Sequence, residues 1–154
     1  MKVKFKNLYM DWAERTAQLS HAKRLQVGAV IVKDDSVISY GYNGMPAGWD
    51  NNCEMHPHVM DPETCQPVEK KDTLVTRPEV LHAESNAIAK LAKSIQSGRD
   101  ADLFVTHAPC MDCAKLIYQS GISSVYYRNS YRDVAGLTFL KQSGVRVEQM
   151  EKGQ

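Results

Sequence analysis

Two short stretches constrain this chain more than any other part of it: His82-Ala83-Glu84 and Pro109-Cys110-Met111-Asp112-Cys113. They read H-x-E and, after a gap, P-C-x-x-C. The imidazole of His82 and the thiolates of Cys110 and Cys113 are zinc ligands by type. Three protein ligands leave one tetrahedral position open, as a catalytic zinc requires, whereas a structural zinc is closed by a fourth. The metal lowers the pKa of a water at the open position to about 7. Glu84 stands two residues past the first ligand, close enough to move that water's proton without binding the metal. Any fold that uses these residues must bring two distant segments to one point.

A lone C-x-x-C is also a redox pair or half of a zinc ribbon. The full combination in this order is far more specific, and it is the signature of zinc-dependent nucleobase deaminases. Its surroundings fit. Glu84 to Ser97 is rich in helix formers, with Gly98 as a stop. Ala87, Leu91 and Ile95 recur at helical spacing and predict one buried face. Cys110 opens a second helix with Cys113, Ala114 and Ile117 on one side and Gly121 at its end. Two helix N-termini then converge on the metal, and their partial positive charge favours thiolate.

The rest of the chain supplies a scaffold. Phe5, Leu8, Tyr9, Trp12, Thr16 and Leu19 trace one face of a helix over about 5–20, expected to pack on the core. Val27 to Val32 is a continuous apolar run, the mark of a strand covered on both faces. The polar turn Lys33-Asp34-Asp35-Ser36 returns the chain into Val37–Gly41, so the first two strands should form an antiparallel hairpin. Loop residues Asn43 to Gly48 follow, then an irregular insert over about 50–78. Beyond it come strand, helix, strand, helix and strand at 103–106, 110–121, 125–128, 132–143 and 145–147. That alternation implies parallel neighbours. The expected architecture is α/β: a five-stranded mixed sheet flanked by helices in three layers, one domain over 1–154.

Net charge is close to zero, with 19 Lys and Arg against 18 Asp and Glu. That argues against a nucleic-acid partner, which calls for a basic surplus. No stretch approaches the roughly 18 apolar residues of a membrane span. Met1 to Lys6 carries charges but no apolar region behind them, so a cytoplasmic protein is expected. The four cysteines allow two disulfides, but C-x-x-C without a secretion signal reads first as metal-binding or redox.

With these motifs the chain resembles the deoxycytidylate (dCMP) deaminases of the cytidine deaminase-like superfamily. The pieces that carry the likeness are Gln26 to Val32, Gly41-Tyr42-Asn43-Gly44-Met45-Pro46, Leu81 to Ile88 and Pro109 to Ile117. The resemblance implies the three-layer α/β/α fold and zinc-dependent hydrolysis of dCMP to dUMP and ammonia, which supplies thymidylate synthesis. It also implies a homohexamer activated by dCTP and inhibited by dTTP, the effectors bound with Mg2+. Glu84 would serve as both base and acid. Ala83 N–H and a backbone carbonyl around Thr106 to Ala108 would meet the pyrimidine edge, and Asn43 the sugar hydroxyl; Asn-Gly is equally a favoured turn pair. A deaminase of free nucleosides or nucleic-acid bases and a non-catalytic zinc module are the rival readings.

Three further sets are expectations. Cys53, His56, His58 and Cys65 fall within one short stretch and are ligand types for a second, structural zinc, with His21 as a substitute ligand. By resemblance, Ser20 with Arg24 (or Lys23) and Tyr131 with Arg132 hold the substrate phosphate; their alternative is a solvated basic helix end and loop. Also by resemblance, Gly41, Tyr42, Asn43 and Gly44 form an effector pocket, the glycines letting the backbone approach a nucleotide.

Overall fold

The apolar run after Val27 becomes β1 (Gly28–Lys33), the strand on which both helical layers rest, in a computed structural model that describes residues 1–152. Its side chains alternate between two cores. Ala29 and Ile31 face one cluster, Val30 and Val32 the other, and all four are buried. The continuous hydrophobicity follows, because no face of this strand meets water. β2 (Ser36–Tyr42) pairs with it antiparallel. β7 (Asp102–His107) lies antiparallel on the other side of β1, and β8 (Ser124–Asn129) and β9 (Arg146–Gln149) extend the sheet in parallel. The order is β2-β1-β7-β8-β9.

On one face α1 (Val3–Ala17) covers β1 and β7; on the other lie α2 (Ala83–Ala92), α3 (Met111–Gln119) and α4 (Ala135–Gln142). This is the expected three-layer α/β/α arrangement. Among the described residues no helix is long and apolar enough to cross a membrane. The insert is more ordered than its composition suggests. β3 (Glu54–Met55) pairs with β6 (Val75–Thr76), and β4 (His58–Met60) with β5 (Pro67–Glu69), as two short antiparallel ribbons.

Some details differ from the sequence-based expectations, each for a local reason. The inner face of α1 is Tyr9, Met10, Ala13 and Ala17, while Leu8 and Trp12 are 48% and 50% exposed. Small alanines let the helix lie close on β1, and the larger side chains turn outward. α2 stops at Ala92 rather than near Gly98. The Ser94 hydroxyl takes the N–H of Gln96, so a side chain competes with the helix ladder. Ile95 is consequently fully exposed, not part of a buried face. α4 begins at Ala135 rather than Arg132, because Asp133 captures the Ala135 N–H through its carboxylate. Residues 130–133 are thereby left as loop.

β2 and α2 approach so closely that a Cβ on Gly41 would lie 2.3 Å from the Ala83 carbonyl oxygen. Gly41 serves helix–sheet packing at the first turn of α2. It and Tyr42 belong to β2, so the loop proper starts at Asn43.

Candidate active site

His82 and Cys110 are the N-cap residues of α2 and α3, both with extended backbone. Their carbonyls accept the first helical hydrogen bonds, from Asn86 and Ala114. Neither side chain caps its helix, so imidazole and thiol are free to turn toward each other. Cys113 follows in the first turn of α3 and shares its side with Cys110. The Nδ1 of His82 lies 3.6 Å from Cys110 Sγ and 3.4 Å from Cys113 Sγ. Ligands at zinc–sulfur and zinc–nitrogen distances of about 2.3 and 2.05 Å stand about 3.6 Å apart at a tetrahedral angle. The three atoms therefore fit a zinc ion. Among the described residues they are the one group of three His, Cys, Asp or Glu whose ligand atoms lie within 4.8 Å of one another.

Exposure grades across the triad: Cys113 is buried, Cys110 half-buried and His82 exposed. The open side faces a cavity of about 340 Å³ whose floor includes His82, Ala83, Glu84, Ala108 and Cys110. Arg24, Leu25, Asn43, Tyr131 and Val80 also line it, with Thr76 contributed by the insert. That volume lies in the range of small-molecule sites.

Glu84 is 4% exposed, and burial raises its carboxyl above the usual range while the nearby His82 opposes the rise. Its place beside the ligand cluster, at the cavity lining, suits it to accept and release a proton during turnover. Among the protein groups alone, hydrogen bonds from Cys113 and His82 draw Cys110 down to about 4, the behaviour of a thiolate ligand. The Cys113 thiol moves up in return, and His82 is raised by its bond to Cys110. As first residue of α2, Ala83 has an N–H without an intrahelical acceptor.

α4 wedges the ligand loop from outside. A Cβ on Gly136 would lie 2.2 Å from the Pro109 carbonyl oxygen and 2.9 Å from the Cys110 carbonyl carbon. Gly136→Ala is expected to displace that loop and destabilise the protein by about 1–3 kcal/mol, the usual cost of overpacking. A thermal melt with zinc analysis checks it: Tm and zinc retention should both fall.

The remaining sequence candidates divide. Arg24, Asn43 and Tyr131 line the cavity. Arg24 rests on Thr76 Oγ1 at 3.0 Å. Asn43 ties the loop together, accepting the Val27 N–H and donating to the Leu25 carbonyl, which leaves its amide one further N–H. Ser20 is buried, and its hydroxyl donates to the Asn43 carbonyl and accepts the Ala22 N–H, so it supports Asn43 instead of facing the cavity. Arg132 is exposed on the Tyr131 loop and does not line the cavity. Gly44 bridges to Leu81, just before the first ligand. The Thr106 carbonyl is taken by Asn129 Nδ2, which leaves those of His107 and Ala108 nearer the pocket.

Cys53, His56, His58 and Cys65 are not brought together as a metal group. Cys53 is buried in an apolar cluster with Ala22 and Val80. His56 Nδ1 meets the Thr73 carbonyl, and Cys65 lies exposed in the turn between β4 and β5. His21 is exposed and joins no ligand group. Strand pairing within the insert sets these positions, which sequence spacing could not reveal. Conversely, His107, Thr76 and Val80 line the cavity without any sequence signal.

A family model described as the cytidine and deoxycytidylate deaminase zinc-binding region matches residues 3–129. ComE operon protein 2 of Bacillus subtilis is 34% identical over 151 residues, covering 97% of this chain and 73% of that protein. The deoxycytidylate deaminase of Schizosaccharomyces pombe is 33% identical over 143 residues, 92% of this chain. The chain spans 42% of that yeast protein's length. Among solved structures, the dCMP deaminase of cyanophage S-TIM5 in complex with dCMP and dUMP is 44% identical, with a TM-score of 0.84. That match covers 97% of this chain and 99% of the phage chain.

Proposed function

The chain belongs to the cytidine and deoxycytidylate deaminase family, and on that premise we propose that it hydrolyses dCMP to dUMP and ammonia. The observation that carries the chemistry is Glu84, buried beside a three-ligand zinc site at the floor of an open cavity. The choice of dCMP is supported by the relatives' substrate and by Arg24 in the cavity lining.

His82, Cys110 and Cys113 would hold a zinc ion, which would supply a Lewis acid that makes water nucleophilic at neutral pH. Glu84 takes the first proton of the attacking water and gives it to ring N3 as the oxygen adds to C4. It then takes the second proton and delivers it to the amino nitrogen as the C4–N4 bond breaks. Ammonia leaves, the water oxygen remains as the 4-carbonyl, and N3 keeps its proton. The Ala83 N–H and the His107 and Ala108 carbonyls orient the pyrimidine edge. Asn43 meets the sugar hydroxyl with its free N–H, and Ser20 fixes the Asn43 backbone. Arg24 and Tyr131 hold the phosphate, with Arg132 as a second cation on the same loop. A planar guanidinium suits phosphate better than an ammonium does.

Arg24→Ala should raise KM for dCMP about tenfold or more, as loss of a charged hydrogen bond does, and leave deoxycytidine nearly unaffected. Equal effects on both would remove the phosphate assignment. The wider reading is tested by comparing ammonia release from dCMP, cytidine and a cytosine-containing oligonucleotide. Turnover of dCMP well above the other two is expected; preference for either of the others would replace the substrate class.

In this reading the chain works as one domain in the cytoplasm, within a homohexamer. dCTP activates and dTTP inhibits, each with Mg2+, through the stretch Gly41 to Gly44. A shift of Asn43 toward or away from the sugar is the switch, a population change set by each effector's differential affinity. One zinc suffices; a second on Cys53, His56, His58 and Cys65 would require the insert ribbons to rearrange.

A further inference from the structure

The cavity wall holds one imidazole that the chemistry above does not use. His107 ends β7, half-buried, and lines the cavity together with Glu84 and Cys110. Leu103 and Val105 of the same strand belong to the core cluster beneath α2 and α3. His107 is the last residue of β7, three residues before the first cysteine ligand, and its ring reaches back to Thr106 while lining the cavity. It therefore borders the cavity that also holds His82, Glu84 and Cys110.

The protonation of this ring is set by its neighbour. Thr106 is 3% exposed, so water cannot serve its hydroxyl. Thr106 Oγ1 accepts the Gly28 N–H at 3.1 Å and lies 3.0 Å from His107 Nδ1. A buried hydroxyl must also donate, and the remaining partner for that proton is Nδ1. Nδ1 is then an acceptor, and a neutral ring must carry its hydrogen on Nε2. Burial also pushes His107 below its ordinary value, which favours the neutral form at neutral pH. Among the described residues Nε2 has no hydrogen-bond partner.

We propose that His107 is a substrate-binding residue whose Nε2–H donates to a neutral acceptor oxygen of the nucleoside half of the substrate, a base carbonyl or a sugar oxygen. Thr106 is its positioning residue, holding the tautomer that makes Nε2 the donor. A neutral donor matches a neutral acceptor, while the phosphate is matched by the guanidinium of Arg24 across the cavity. The inference rests on the deaminase reading above.

The test uses the zinc-loaded protein. Long-range nitrogen-15 NMR of the His107 ring should show the Nε2–H tautomer, with the Nε2 resonance moving when dUMP is added. Thr106→Val should shift the ring toward a mixture of tautomers. His107→Phe should raise KM about threefold to tenfold, the size of one neutral hydrogen bond. The rise should be equal for dCMP and deoxycytidine, and His107→Gln, which keeps a donor near Nε2, should restore part of it. An Nδ1–H tautomer in the wild type overturns the proposal. So does an effect confined to dCMP, which would place His107 on the phosphate. If His107→Phe does not fold, the wild-type spectra decide. Wild-type protein that deaminates dCMP while Nε2 ignores dUMP overturns this inference alone. Protein that neither turns over dCMP nor binds dUMP removes the deaminase reading and the inference with it.

Discussion

Glu84→Gln is expected to fold, to keep its zinc and to lose about 10²–10⁴-fold in kcat on dCMP, the usual contribution of a general acid–base group. The amide matches the carboxylate in shape, so the packing of the first turn of α2 should survive. It cannot accept the water proton, and both proton deliveries depend on that step. The loss should fall on kcat, with KM changed little, because the interaction develops in the transition state. Steady-state kinetics and zinc analysis on the same preparation separate the cases. Near-normal turnover would remove Glu84 from the mechanism, and zinc loss would make it a structural support of the site.

Cys113→Ala should abolish activity by a different route. Cys113 is the buried member of the triad, and its removal leaves only His82 and Cys110. Zinc content should fall from about one per chain to a small fraction, since a catalytic site needs three protein ligands. Activity should fall below detection and not return with added zinc. The apolar cluster of Ala83, Ala114 and Ile117 beneath the site is built of side chains that do not bind metal. Far-ultraviolet circular dichroism should therefore remain native. A variant that keeps stoichiometric zinc would show that another residue completes the site.

The clustering of His82, Cys110 and Cys113 was legible in the sequence because its geometry is local. One ligand caps one helix, and two ligands three residues apart sit at the start of another, so spacing alone puts them at helix N-termini. Convergence of the two helices followed from the need for three ligands. The buried strand at Val27 was legible for a similar reason, since a continuous apolar run with β-branched residues has few other homes. The inner face of α1 was not. Leu8 and Trp12 fit the same periodicity as Tyr9, and only the close approach of Ala13 and Ala17 to β1 decides which side turns inward. His107 was invisible for a further reason: its tautomer depends on a threonine hydroxyl whose other partner, Gly28, is on a different strand. Thr76, the insert residue that lines the cavity, depends on ribbon pairing that no periodicity encodes. The same pairing separates the cysteines and histidines that look like a metal set on the page.

If this chain is a hydrolytic deaminase, an oxygen from water replaces the amino group of dCMP at C4. Mass spectrometry of the products formed by zinc-loaded protein in oxygen-18 water tests it directly. One ammonia per dUMP is expected, with one heavy oxygen on the pyrimidine ring. No dUMP from dCMP, or dUMP that carries only light oxygen, would contradict it.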